Sequence, residues 1–178
     1  MLKKTLFVAL MSSLTVLAAP AKTAKAEGPT DAQIAHIAVT ANQIDVDAGK
    51  LALEKSKNEA VRKFAQLMIN DHTAVIQQAV ALVTKLKVTP EDNATSKSLL
   101  AGAATAKAAL EQKSGADFDK AYVDNEVGYH QAVVDAVNKV LIPNAKNPQL
   151  KHLLQKVSPV LAQHLAHAKK MQKALEAK

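Results

Sequence analysis

Apolar residues recur every three or four positions through four long stretches of this chain, and that spacing admits little besides amphipathic helices. The first stripe runs through Ile34, Ile37, Ala41, Ile44, Ala48 and Leu51. The second is stronger, with Val61, Ala65, Met68, Ile69, Val75, Ile76, Ala79, Val83 and Leu86. The third passes through Phe118, Tyr122, Val123, Val127, Val134, Val137 and Leu141, and the fourth through Leu150, Leu154, Val157, Leu161, Ala168 and Met171. Composition agrees with the pattern. Alanine, the best intrinsic helix former, supplies 34 of 178 residues, and five Gly and six Pro are too few for a loop-rich all-β domain.

Local signals set the boundaries. Thr30 and Gln33 form a capping box that opens a helix over 31–56. Ser56-Lys57-Asn58-Glu59 reads as a second capping box, opening a helix over 58–88 that Thr89-Pro90 ends. A thinner, Ala-rich helix follows over 94–113, with Leu99, Leu100 and Leu110 as its large apolar residues and Gly115 as its stop. Asp117 is expected to cap the next helix, which runs to Ile142 and is closed by Pro143. Asn147-Pro148 opens the last, over 148–174, with Pro159 inside it predicting a kink near Gln155. The first and last joints are short and make antiparallel hairpins, whereas the 28 residues of 89–116 are enough to cross a bundle. The expected fold is therefore all-α: a ferritin-like four-helix bundle with a helical crossover between the second and third long helices. An up-down-up-down bundle with a helical excursion is the competing topology.

Residues 1–26 read as a signal peptide, and 27–178 as the bundle domain. Lys3 and Lys4 precede an apolar run over 6–17, and Ala24-Lys25-Ala26 supplies a small-residue cleavage site; Ala19 and Ala21 are alternatives. The run is short for a membrane span of about 20 residues, so the mature chain is expected in the periplasm or outside the cell, with no transmembrane segment. Export also revises the charge balance. Lys3, Lys4, Lys22 and Lys25 leave with the leader, so 19 of the 23 basic residues remain against 16 acidic ones. Such scattered charge makes no dense basic patch, and no nucleic-acid partner is expected. The absence of Cys excludes disulfides, thiolate metal sites and cysteine nucleophiles.

Histidines interrupt three of the stripes. His72, His130 and His164 stand where aliphatic residues are expected, each near the middle of its helix, and Asp45 lies near the middle of the first. Midpoints of similar helices meet at one level whichever way each runs, so these residues predict one buried polar layer. Glu126 is one turn before His130, and His167 is one turn after His164. Imidazoles and carboxylates converging in a dry interior suit a divalent transition metal such as Zn, Cu, Fe or Mn. The candidate ligands are His72, His130, His164, Glu126, Asp45 and His167. Histidines satisfied by carboxylates or backbone carbonyls, fixing helix register without metal, are the other reading. Met68, Met171, Tyr122 and Tyr129 read as packing residues, and His36 and His152 as surface or boundary residues. No His has an acidic residue three positions before it, so the paired Glu-x-x-His motifs of di-iron bundles are missing. Neither H-E-x-x-H nor G-x-S-x-G occurs.

Three segments together resemble a known family. Val61, Arg62, Phe64, Ala65, Met68, Asp71, His72 and Thr73 form its first motif. Phe118, Asp119, Tyr122, Val127 and His130 form the second, and Pro159, Leu161, His164 and Leu165 the third. The chain is similar, over about 31–175, to domain-of-unknown-function family 4142. The resemblance implies an exported bacterial protein with a ferritin-like fold, and it implies no reaction. Where many relatives carry Glu in the first helix, this chain has Asp45 and Asp47. The expected function is non-catalytic, tied to envelope or stress physiology, with metal at the His layer. An interaction or chaperone-like module, with structural histidines and apolar surface around Leu99 and Leu100, is the alternative. A second copy of the chain or an envelope protein would then be its partner. A metal-dependent oxidase is the least favoured class.

Overall fold

The computed structural model describes residues 27–177. Residues 1–26, expected from the sequence to be a signal peptide, lie outside them. Five helices account for the fold, and there is no strand among the described residues. They are α1 (Asp31–Lys55), α2 (Glu59–Leu86), α3 (Ala94–Glu111), α4 (Gly115–Ala136) and α5 (Pro148–Glu176). A π turn (Val137–Leu141) and a last helical turn (Ile142–Asn144) prolong α4.

The capping box at Thr30 forms in both directions, with Gln33 N–H donating to Thr30 Oγ1 and Thr30 N–H to Gln33 Oε1. The second one does not. Asn58 caps α2, accepting from Ala60 and Val61 N–H, while Ser56 is buried and donates its hydroxyl to Asp119 Oδ1. Asn58 has the same short acceptor two residues closer to the helix, which is the geometry a cap needs. At the start of α4, Ser114 rather than Asp117 occupies the cap position. Gly115 does not terminate α3, which ends earlier at Glu111; it begins α4 at φ +54°, a left-handed conformation that favours glycine.

Pro143 does not close α4 either. The π turn lets Ile142 N–H reach the Val137 carbonyl, and helical geometry runs on through Pro143 to Asn144. Helix α5 continues unbroken through Pro159, and Ser158 there donates to Asn138 in the π turn.

Contacts at the helix ends give the direction of each element. Asp31 accepts from the N–H groups of Lys146 and Asn147, so α4 ends and α5 begins beside the start of α1. Glu91 N–H donates to Ala32 O before α3, and Lys55 Nζ donates to the carbonyl of Glu111, its last residue, so the segment 91–111 spans α1 from end to end and α3 runs parallel to it. Helices α1 and α2 pair, as do α4 and α5; α1 also meets α4, α2 meets α5, and α3 lies over α1 and α4. The segment between α2 and α4 thus crosses the bundle lengthwise, and the up-down-up-down alternative is excluded.

Two apolar clusters fill the interior. One gathers Leu51, Val61, Phe64, Met68, Phe118, Tyr122 and Met171. The other gathers Ile34, Ile37, Val137, Leu141, Leu150, Leu154 and Leu161 at the opposite end. At Gly49, a Cβ would stand 2.9 Å from Ile69 Cγ1 and 3.0 Å from the Ala65 carbonyl, so glycine there lets α1 and α2 approach closely. The histidine layer lies between the two clusters. No described helix is long and apolar enough to cross a membrane.

Candidate metal centre

Helix α1 brings Asn42 and Asp45 to the layer, α2 brings His72, α4 brings Glu126 and His130, and α5 brings His164; all six are buried. The three imidazole rings face one another, with centroids 5.2, 5.5 and 5.6 Å apart. One nitrogen from each ring lies within 4.8 Å of the others, and Asp45, Glu126 and His130 form a second group within the same limit. His130 belongs to both groups, so the three imidazoles and the two carboxyls adjoin through it.

Hydrogen bonds fix which nitrogen of each ring carries its proton. His130 Nδ1 lies 3.1 Å from the Glu126 carbonyl, which only accepts, so Nδ1 donates. Asn42 gives its amide N–H to Ala38 O at 2.7 Å and therefore turns its oxygen to His72 Nδ1, also at 2.7 Å. His164 Nε2 lies 2.9 Å from Asp71 Oδ2 and donates to it. The remaining nitrogens, His72 Nε2, His130 Nε2 and His164 Nδ1, are buried with no hydrogen-bond partner in the protein. A neutral imidazole presents a lone pair at that position. Metal-binding histidines are held this way, with one nitrogen anchored to an outer acceptor and the other free to coordinate. Asp45 Oδ1, Glu126 Oε2 and the Tyr122 hydroxyl are likewise buried and unpartnered. Each such atom costs about 1–3 kcal/mol, and a histidine layer built only for register would satisfy them.

The charged forms of His72, His130, Glu126 and Asp45 are disfavoured by burial. Burial pushes the His72 pKa down to about 3, with His130 and His164 adding to the effect. Burial lowers His130 to about 4, helped by His164 and opposed by the bond to the Glu126 carbonyl. Glu126 is raised by burial to about 8, and Asp45 is raised by burial and then by Glu126. The close approach of His130 Nδ1 to Glu126 Oε2 (3.4 Å) is therefore a contact of neutral groups at pH 7, not an ion pair, and the shifts likewise disfavour charge on His72 Nε2 and Asp45 Oδ2, 3.6 Å apart. Tyr122 stacks parallel to Phe118, and its phenol is held well above its usual pKa by burial, Glu126 and Asp45.

Five of the six sequence-derived candidates thus meet: Asp45, His72, Glu126, His130 and His164. His167 does not join them. It is exposed and packs edge-on against Phe64, with centroids 5.0 Å apart, one turn further along α5 than His164, beside the apolar cluster that contains Phe64. Asp47 is exposed beside Lys50. Asn42 and Asp71 escaped the sequence reading. Asn42 had a signal, since it lies three residues before Asp45 on the same face; the partnership of Asp71 with His164 joins two helices and leaves no local trace.

A family described as "Domain of unknown function (DUF4142)" matches residues 15–171. No curated protein matches the chain in sequence. Among solved structures, "CopM in the Cu(II)-bound form" is similar at a TM-score of 0.63 and 17% identity, covering 82% of this chain and 98% of the other. That likeness is one of fold.

Proposed function

The chain belongs to the DUF4142 family, and from that premise and the geometry of its polar layer we propose that it is an exported, non-catalytic metal-binding protein of the bacterial envelope. We read the bundle as ferritin-like, with two antiparallel hairpins joined by one lengthwise crossover. The metal is a divalent first-row ion held by His72 Nε2, His130 Nε2 and His164 Nδ1, with Asp45 and Glu126 supplying oxygen. Copper(II) stands first, because it heads the affinity order for nitrogen and oxygen donors. The solved relative in fold is itself described as Cu(II)-bound. The observation that carries the reading is the matched set of three buried, unpartnered imidazole nitrogens, each ring anchored through its other nitrogen. A bound cation would favour the carboxylates as anions and give the unpartnered imidazole nitrogens and carboxyl oxygens of the layer a partner. The absence of Glu-x-x-His pairs sets this centre apart from di-iron oxidases.

The test is elemental mass spectrometry of protein exported to a native periplasm, beside the variant carrying His72→Ala, His130→Ala and His164→Ala. Near-stoichiometric metal in the wild type and none in the variant is the expected result. Because that variant loses buried groups, the wild type alone provides a second check. A ligand that binds only the native state raises its melting temperature. Melting unchanged by Cu, Zn, Fe and Mn across several pH values would overturn the proposal.

A further inference from the structure

Two apolar cavities lie beneath α3; the first touches the metal centre only through Asn42, and no proposed metal ligand lines either. One, of about 360 Å³, is walled by all five helices, among others by Ala38, Ala79, Ala136 and Leu161. The other, of about 390 Å³, lies between α1, α3 and α4 against Ala48, Leu51, Ala103 and Ala106. Leu99 and Tyr129 line both, so the cavities adjoin at these two side chains under the first half of α3, where Tyr129 donates its hydroxyl to Ala41 O. Along α1 they extend from Ala35 to Leu51, about 24 Å at 1.5 Å per residue. Protein interiors seldom leave such space. Helix α3 leaves it because it is pinned at its ends, by Asn93 to Gln33 O and by Glu111 O to Lys55, and carries mainly small residues between.

We propose that this space binds one long, unbranched acyl chain. The shape argues for a chain: a compact ring would fill one cavity and leave the other. A docked helix, about 10 Å across, would not fit beneath an element tied down at both ends. The polarity gives the direction. Asp47, Ser98, Lys107 and Asn125 line only the second cavity and form a polar rim for the head group. The first, lined almost wholly by aliphatic side chains, takes the tail. Lys107 already pairs with Glu111, and Asp47 with Lys50, so the rim is polar without excess charge.

Calorimetric titration of the mature chain with laurate, palmitate and palmitoyl lysophosphatidylcholine, each below its micelle concentration, tests the proposal. One molecule binds per chain, and affinity rises from laurate to palmitate by up to about fourfold per added methylene. Ala103→Leu and Ala136→Leu, which fill the two cavities from α3 and α4, weaken palmitate binding by about tenfold or more. Their melting temperatures do not fall, and their metal content is unchanged, so failure here is distinct from failure of the metal proposal. Equal binding of palmitate and the lysolipid supports the shared chain as the ligand; preference for palmitate supports a free fatty acid. No saturable binding of either, or affinity unaltered in both filled variants, overturns the proposal. So does a concentration-dependent dimer that both substitutions abolish in the absence of lipid binding.

Discussion

Each histidine of the layer depends on one acceptor outside it: Asn42 for His72, a backbone carbonyl for His130, and Asp71 for His164. These acceptors decide which ring nitrogen is free, and their removal should matter nearly as much as loss of a ligand. Asp71→Ala is expected to weaken metal binding by about 10–100-fold, the usual effect of losing an outer partner. Asp71 is half-exposed, so the fold survives its removal. His167→Ala should leave metal binding unchanged, since that ring packs on Phe64 outside the layer. Competition titrations against a chelator of known affinity compare both with the wild type. A large loss for His167→Ala would contradict the ligand set.

The elements meet where small or unusual residues allow it. Gly49 lies against the Ala65 carbonyl and Ile69 on α2, and an added Cβ would force one of them to move. Gly49→Ala should therefore lower stability by about 1–3 kcal/mol, the range for overpacking. Gly115 presents the opposite case: its Cβ would meet open space, but its φ of +54° is unfavourable for other residues. Gly115→Ala should cost about 1–2 kcal/mol through backbone strain alone. Denaturant unfolding measures both losses, and a Gly49→Ala or Gly115→Ala protein as stable as the wild type would contradict the corresponding reading. The π turn after α4 has a comparable role: it carries the helix past Pro143 and sets Asn138 beside Ser158 of α5.

For the whole molecule, His72 and His130 on one side and Glu126 and Asp45 on the other oppose each other in their response to pH. Stability rises with pH wherever the unfolded chain binds more protons than the folded one. His72 and His130 fall from 6.5 to about 3 and about 4, so they lower stability as pH drops below about 6.5. Glu126 rises from 4.5 to about 8 and Asp45 rises from 3.8, so the folded protein keeps their protons where the unfolded chain has lost them. Their contribution is lost as pH climbs toward 8. Between about pH 4.5 and 6.5 Glu126 offsets one of the two histidines and Asp45 acts in the same direction, so the gain in stability of the metal-free protein with pH is blunted there, and stability falls from about pH 6.5 toward 8. Outside that window the slope is about 1.4 kcal/mol per pH unit for each group still titrating. Thermal melting in chelator from pH 4 to 9 checks this; stability that climbs steadily to pH 8 would refute it. Bound metal replaces the carboxyl protons, so its stabilising effect should be larger at pH 8 than at pH 6.

Helix positions, the all-α class and the shared depth of Asp45, His72, His130 and His164 could be read from the chain, because helical periodicity is local and the midpoint argument holds for either direction of each helix. Even the layer needed only residue types on known faces. The cap at Asn58 and the passage through Pro143 were misread because each depends on neighbours outside the segment: Ser56 is claimed by Asp119 across the bundle, and the π turn rests on α5. The tautomer of each imidazole, the exclusion of His167 and the roles of Asn42 and Asp71 likewise emerged only in three dimensions. A hydrogen bond between α2 and α5 joins residues 93 positions apart, and no spacing within one helix encodes it. Sequence alone thus placed the donors at one level of the bundle; the packing of four helices against one another decided which atoms face inward with nothing to bind.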